Sequence, residues 1–169
     1  MKTRSFYPLM LAILSILFFS CKKSSSDSSQ MKVRMTDAPS LYDEVNIDLQ
    51  SVEVKFSKDT THWATMQTNA GVYNLLGLQN GVDTLIAQGS FQTDVVKEIR
   101  LVLGTNNTIK VNGAVYPLTI PSGAETGLKI KVDEDLGANL TTLLVDFDTN
   151  LSINGGAQGY FLVPVLKLK

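Results

Sequence analysis

Thr108-Ile109-Lys110-Val111-Asn112-Gly113-Ala114-Val115-Tyr116-Pro117-Leu118 is the stretch from which the fold is read. Two short alternating runs flank Asn112-Gly113. Both central residues of a two-residue type I′ turn need positive φ, which Asn and Gly adopt at least cost, so the stretch predicts a tight β-hairpin. The same period-two pattern recurs on both sides of it, broken by Gly, Asn, Pro and Asp, and no long helical pattern interrupts it.

Upstream, Met31 to Thr36 reads as a strand, and Thr36-Asp37-Ala38-Pro39-Ser40 as a turn. Leu41 to Asp43 is expected to form one helical turn. Val45, Ile47 and Leu49 share one face, and Val52, Val54 and Phe56 resume the pattern one residue out of phase. A bulge near Gln50-Ser51 would restore the inward face. His62 to Met66, Val72 to Leu78, Thr84 to Phe91 and Asp94 to Leu103 are further predicted strands. Downstream, Leu128, Ile130 and Val132 alternate with Lys129, Lys131 and Asp133, which predicts a strand with one wet face. Leu143 to Phe147 is more continuously apolar and is expected to be central. Tyr160 to Leu168 is read as one closing strand with Phe161, Leu162 and Val163 buried, Lys167 and Lys169 outward, and Pro164 at an edge or bulge. About nine strands spaced by turns predict an all-β fold, a two-sheet antiparallel β-sandwich.

The N-terminus carries a different message. Lys2 and Arg4 precede an apolar run from Leu9 to Phe19, too short for a spanning helix of roughly 20 apolar residues. A charged start, an apolar stretch and a small residue at the cut describe an export signal over residues 1–20. Leu17-Phe18-Phe19-Ser20-Cys21 resembles a lipobox, with Phe18 and Phe19 where smaller residues are common. The expectation is a lipoprotein acylated on Cys21, with diacylglycerol and palmitate attached. Residues 21–30 hold no apolar side chain after Cys21 and read as a flexible Ser-rich tether to a domain over 31–169. In bacterial lipoproteins an Asp directly after the cysteine holds the protein in the inner membrane. Lys22 stands there instead, so the expected site is the cell envelope at the outer membrane.

Composition excludes several chemistries. The 15 basic residues become 13 once Lys2 and Arg4 are lost, against 16 acidic ones, and no basic cluster beyond Lys22-Lys23 points to nucleic acid. Cys21 is the only cysteine and His62 the only histidine. A Cys/His zinc site cannot be built from this chain alone, and a thiol nucleophile is absent once Cys21 is acylated. Neither a cofactor nor an enzymatic activity is expected.

Thr36-Asp37-Ala38-Pro39, Asn74-Leu75-Leu76, Ile99-Arg100-Leu101, Pro121-Ser122-Gly123, Gly127-Leu128-Lys129 and Val145-Asp146-Phe147-Asp148 occur in this order behind the signal. Together they resemble domain-of-unknown-function family 4382 of bacterial envelope lipoproteins, over roughly Gln30 to Lys169. The resemblance implies a β-sandwich at the cell surface, without an activity and without catalytic residues.

Candidate sites follow from residue type. Trp63, Tyr73, Tyr116 and Tyr160 are candidate ligand-binding aromatics, although an inward tryptophan packing the core is the commoner outcome for Trp63. Asp133, Asp135, Asp146 and Asp148 are the weak candidates for calcium, which takes six to eight oxygen ligands; no calcium-loop pattern surrounds them. Asp146 and Asp148 would share a face if their strand continued. Ser122 lacks nucleophile-elbow context and is read as a turn residue. The expected function is a lipid-anchored binding or accessory structural module of the envelope, with an unidentified protein or glycan ligand. A surface glycan-binding module, a fimbrial subunit and a carboxylate-based hydrolase are the alternatives.

Overall fold

A computed structural model describes residues 28–121, 127–137, 140–156, 159–163 and 165–169. The signal, Cys21, Ser122 and Pro164 lie outside these residues. The described strands are β1 (Ser28–Asp37), β2 (Glu44–Phe56), β3 (Ala64–Thr65), β4 (Gln67–Thr68), β5 (Gly71–Asn74), β6 (Thr84–Gln92) and β7 (Val95–Leu103). They continue with β8 (Thr108–Val111), β9 (Ala114–Thr119), β10 (Leu128–Asp135), β11 (Thr141–Phe147), β12 (Ile153–Gly156), β13 (Gly159–Leu162) and β14 (Leu166–Leu168). Two sheets pack face to face. The small one runs β14-β11-β1-β6-β4; the large one runs β10-β7-β2-β8-β9-β13-β12. β3 and β5 pair with β2 on the side away from β7 and β8, so β2 is the spine of the large sheet.

The alternation explains the core. Met31, Val33 and Met35 of β1, Val45, Ile47, Leu49, Val52 and Val54 of β2, and Ile99 and Leu101 of β7 are fully buried between the sheets. The phase change in β2 is absorbed where it was expected: its register against β7 shifts between Leu49 and Ser51, and both halves of the strand keep their apolar face inward. Asn112 and Gly113 have φ of 50° and 79°, the positive pair of a type I′ turn, and Val111 pairs with Ala114 across it.

The all-β sandwich is therefore the observed fold, with differences in detail. The sheets are mixed, because β1 lies parallel to β11 and β13 parallel to β9. β1 begins at Ser28, three residues inside the stretch read as tether; a neighbouring β6 supplies backbone partners for Ser28 to Gln30 that local composition does not reveal. Leu41 to Asp43 is a bend, not a helical turn. Val72 to Leu78 is not one strand: β5 ends at Asn74, whose side chain accepts from the Leu76 amide and caps a 3-10 turn over Leu75–Leu78. The span from Tyr160 to Leu168 is also divided. β13 belongs to the large sheet and β14 to the small one, so the chain changes layers between them and leaves Val163 exposed rather than buried. Many short strands in place of about nine are the consequence.

Candidate functional site

The direction of β1 defines two ends. Ser28 marks the near end, where the chain enters; Asp37 marks the far end. Three segments meet at the far end, namely 38–43, 79–83 and 148–152. Asp37 joins them. It is buried, its Oδ1 accepts hydrogen bonds from the Thr149 amide (3.1 Å) and the Thr149 hydroxyl, and its Oδ2 accepts from Gln79 Nε2 at 3.2 Å. Burial pushes its carboxyl up, and the bonds from Thr149 and Gln79 work against that rise. Gln79 Nε2 also reaches Ser40 Oγ (3.4 Å), Asn150 Nδ2 donates to Pro39 O (2.5 Å), and the hydroxyl of Thr36 lies 2.9 Å and 2.8 Å from the carbonyls of Leu78 and Val82. Asp43 Oδ2 accepts from the Gly113 amide at 2.8 Å, which ties the hairpin tip to the same end.

These loops are joined by polar bonds around the buried Asp37 yet expose apolar side chains. Leu41 is 99% exposed, Leu151 58% and Val82 51%. Beside them a cleft of about 310 Å³ opens between Thr36, Pro39, Asn80, Asp83, Leu144 and Lys169. Asp37 also lines it; of its other charges, Asp83 pairs with Arg34, and Lys169 Nζ with Asp146 Oδ2 at 3.0 Å. The other oxygen of Asp146 is buried and has no hydrogen-bond partner among the described residues. The arrangement suits recognition. It holds hydrogen-bonded loops, apolar projections and a polar cleft, features with which scaffold-mounted loops bind partners.

The expected carboxylates do not converge. Asp146 lies on the outer face of β11, while Asp148 stands beyond the strand end and caps the helical turn Thr149–Ser152 by accepting from the Leu151 amide at 3.2 Å. Lys167 Nζ lies 3.4 Å from Asp148. Asp133 belongs to β10 and pairs with Lys97 at 2.8 Å, an interaction that lowers its pKa; Asp135 is exposed at the end of the same strand. Among the described residues no three His, Cys, Asp or Glu side chains are grouped to hold a metal ion.

The aromatic candidates separate as well. Trp63 is not a core residue: it precedes β3, and its ring lies 4.4 Å from both Lys55 Nζ and Arg100 Cζ on the outer face of the large sheet. A cross-strand Lys/Arg pair offers a cation–π seat outside, which the alternation around Trp63 does not disclose. Tyr73 packs against the core, its hydroxyl donates to Asn69 O at 2.5 Å, and burial raises its pKa. Tyr116 and Tyr160 are neighbours with ring centroids 5.2 Å apart; Tyr116 is 42% exposed, and Tyr160 packs closely over Gly155. His62 is exposed, with Nδ1 2.9 Å from Asp59 Oδ2. The Thr61 hydroxyl, then His62, hold the Asp59 carboxyl well below the usual range. Ser57, the hydroxyl closest in sequence before that loop, donates to Asp94 at 2.6 Å.

The far-end residues were partly visible in advance. Thr36-Asp37-Ala38-Pro39 read as a turn, but Asp37's partner Thr149 is 112 residues away. Leu41 was expected in a helical turn and Leu151 had no assigned role; the signal available for both is an apolar side chain in a short segment between strands.

Fold and site together define a β-sandwich whose far end is built from three loop segments around a buried carboxylate. The chain belongs to the family described as domain of unknown function DUF4382, whose model matches residues 28–164. No curated protein and no solved structure matches it. No helix among the described residues is long and apolar enough to cross a membrane.

Proposed function

We propose that this protein is a lipid-anchored module of the bacterial cell envelope, at the outer membrane, and that it binds a partner protein through the loops of its far end. The observation that carries the reading is Leu41, nearly fully exposed beside Ser40, whose hydroxyl is reached by the same Gln79 amide that donates to the buried Asp37. An apolar side chain held out by an ordered loop gains free energy when a partner covers it, about 25 cal/mol per Å² of apolar surface. Ser28 lies at the opposite end of β1, so the chain enters the domain at the end away from these loops. On this reading the module is not a thiol- or histidine-dependent enzyme; among the described residues the side-chain partners of the exposed His62 are Asp59 and Thr61, its own loop neighbours.

A photo-activatable residue at position 41 in living cells tests the proposal. A discrete protein adduct is expected at position 41, weakened by Leu151→Asp. No adduct is expected from position 72, where Val72 is exposed on the sheet face. Equal labelling from both positions, or none from either, overturns it. A glycan ligand is the second reading, favoured by the exposed Tyr116 beside Tyr160.

A further inference from the structure

We propose that the outer face of the large sheet around Trp63 lies against an anionic lipid surface; the inference rests on the lipid-anchored reading. β2, β7 and the edge strand β10 set their outward residues side by side. Glu53 faces Arg100 and Lys55 faces Glu98 across β2 and β7, and Lys129 and Lys131 stand beside Arg100 and Glu98 on β10. Glu53 pairs with Arg100, Glu98 with Lys55 (3.1 Å) and Asp133 with Lys97 (2.8 Å). Lys129 and Lys131 are exposed and hydrogen-bond to no carboxylate among the described residues. The patch thus holds five cations against three carboxylates in a chain that is acidic overall. Glu134 and Asp135 lie past it at the strand end, and Asp94, below β7, is engaged by Ser57 and Lys58. Trp63 lies across the cations Lys55 and Arg100. Lys and Trp together are the side chains that settle at an anionic headgroup layer.

The entry point of the chain agrees. Ser28 pairs with Gln92, and Asp94 begins the passage into β7, so the preceding segment leaves from the end where Lys97 and Lys131 lie. Seven residues separate Ser28 from the end of the signal; extended, they span up to about 23 Å. Packed sheets are about 10 Å apart, so that length is enough for a lipid on Cys21 to meet the plane of the outer face.

Trp63 is the only tryptophan, so it reports on its own patch. The full acylated chain is placed in vesicles of phosphatidylcholine, or of phosphatidylcholine with phosphatidylglycerol, and quenched with acrylamide. At low salt, quenching on the anionic vesicles is expected to fall at least about twofold; high salt and the pair Lys129→Glu with Lys131→Glu should each abolish the difference. Equal quenching on both vesicles overturns the proposal, as does a difference that survives salt. Should the pair fail to fold, the salt series on the unaltered chain still decides. Flotation reads the anchor separately: a chain that does not float with phosphatidylcholine vesicles has no lipid anchor. In that event excess anionic vesicles must still shield Trp63, and failure to do so overturns the docking face as well.

Discussion

Asp37 carries more of the far end than any other single residue. Its two oxygens serve the Thr149 amide, the Thr149 hydroxyl and Gln79, and Thr149 is fully buried. Replacing Asp37→Ala leaves those donors without an acceptor, at a cost of about 1–3 kcal/mol. Urea unfolding at pH 7 measures it. The carboxyl also makes stability depend on pH. Its folded pKa is raised by burial, so the folded state binds the proton more tightly than the unfolded chain. That contribution is fully present below the ordinary 3.8 and is lost as pH rises through the folded value. Asp37→Asn should remove the slope in that window. An identical slope in the variant would place the titration elsewhere. The sequence marked Asp37 as a turn residue, which it is, but not as the acceptor for a residue on the other side of the molecule. Local hydrogen-bonding preferences are written in neighbouring residues; a partner 112 positions away is brought in by the packing of the sheets.

Among the elements, the β8–β9 hairpin shows how far local chemistry reaches. Asn112 and Gly113 adopt positive φ as the dipeptide requires, and the strands they join link β2 to the outlying β13. Changing Asn112-Gly113 to Val-Val places two β-branched residues in a conformation costing about 1–2 kcal/mol each. For a domain of this size a total near 3 kcal/mol lowers Tm by roughly 6–12 °C. Thermal unfolding followed by circular dichroism checks it, and an unchanged Tm would mean that the turn carries no strain. The bulge in β2 was legible for a similar reason, since an apolar pattern that changes phase must either bulge or expose half of itself. By contrast, Trp63 was misplaced. Its neighbours alternate as a strand should, but its seat is a Lys–Arg pair on two other segments of chain, Lys55 and Arg100.

At the scale of the whole molecule, the chain enters at one end of β1 and the hydrogen-bonded loops lie at the other, and the proposed anchor is tested at Cys21. Cys21→Ser is expected to move the protein from the membrane fraction to the soluble fraction, or to leave it unprocessed. Fractionation with metabolic fatty-acid labelling distinguishes these, and a labelled variant that fractionates like the unaltered chain refutes the anchor. The amino-acid sequence by itself determined the layers: alternation decides which side chains face inward, positive-φ residues decide where a hairpin turns, and a phase change decides where a strand bulges. All three are properties of a few adjacent residues. Only the tertiary structure decided which strands are neighbours. β1 lies between β6 and a parallel β11, and the segment from Tyr160 to Leu168 is shared between two sheets. A strand buried on one face presents the same pattern whichever partner supplies its hydrogen bonds, so pairing is settled by how the two apolar faces close over one core.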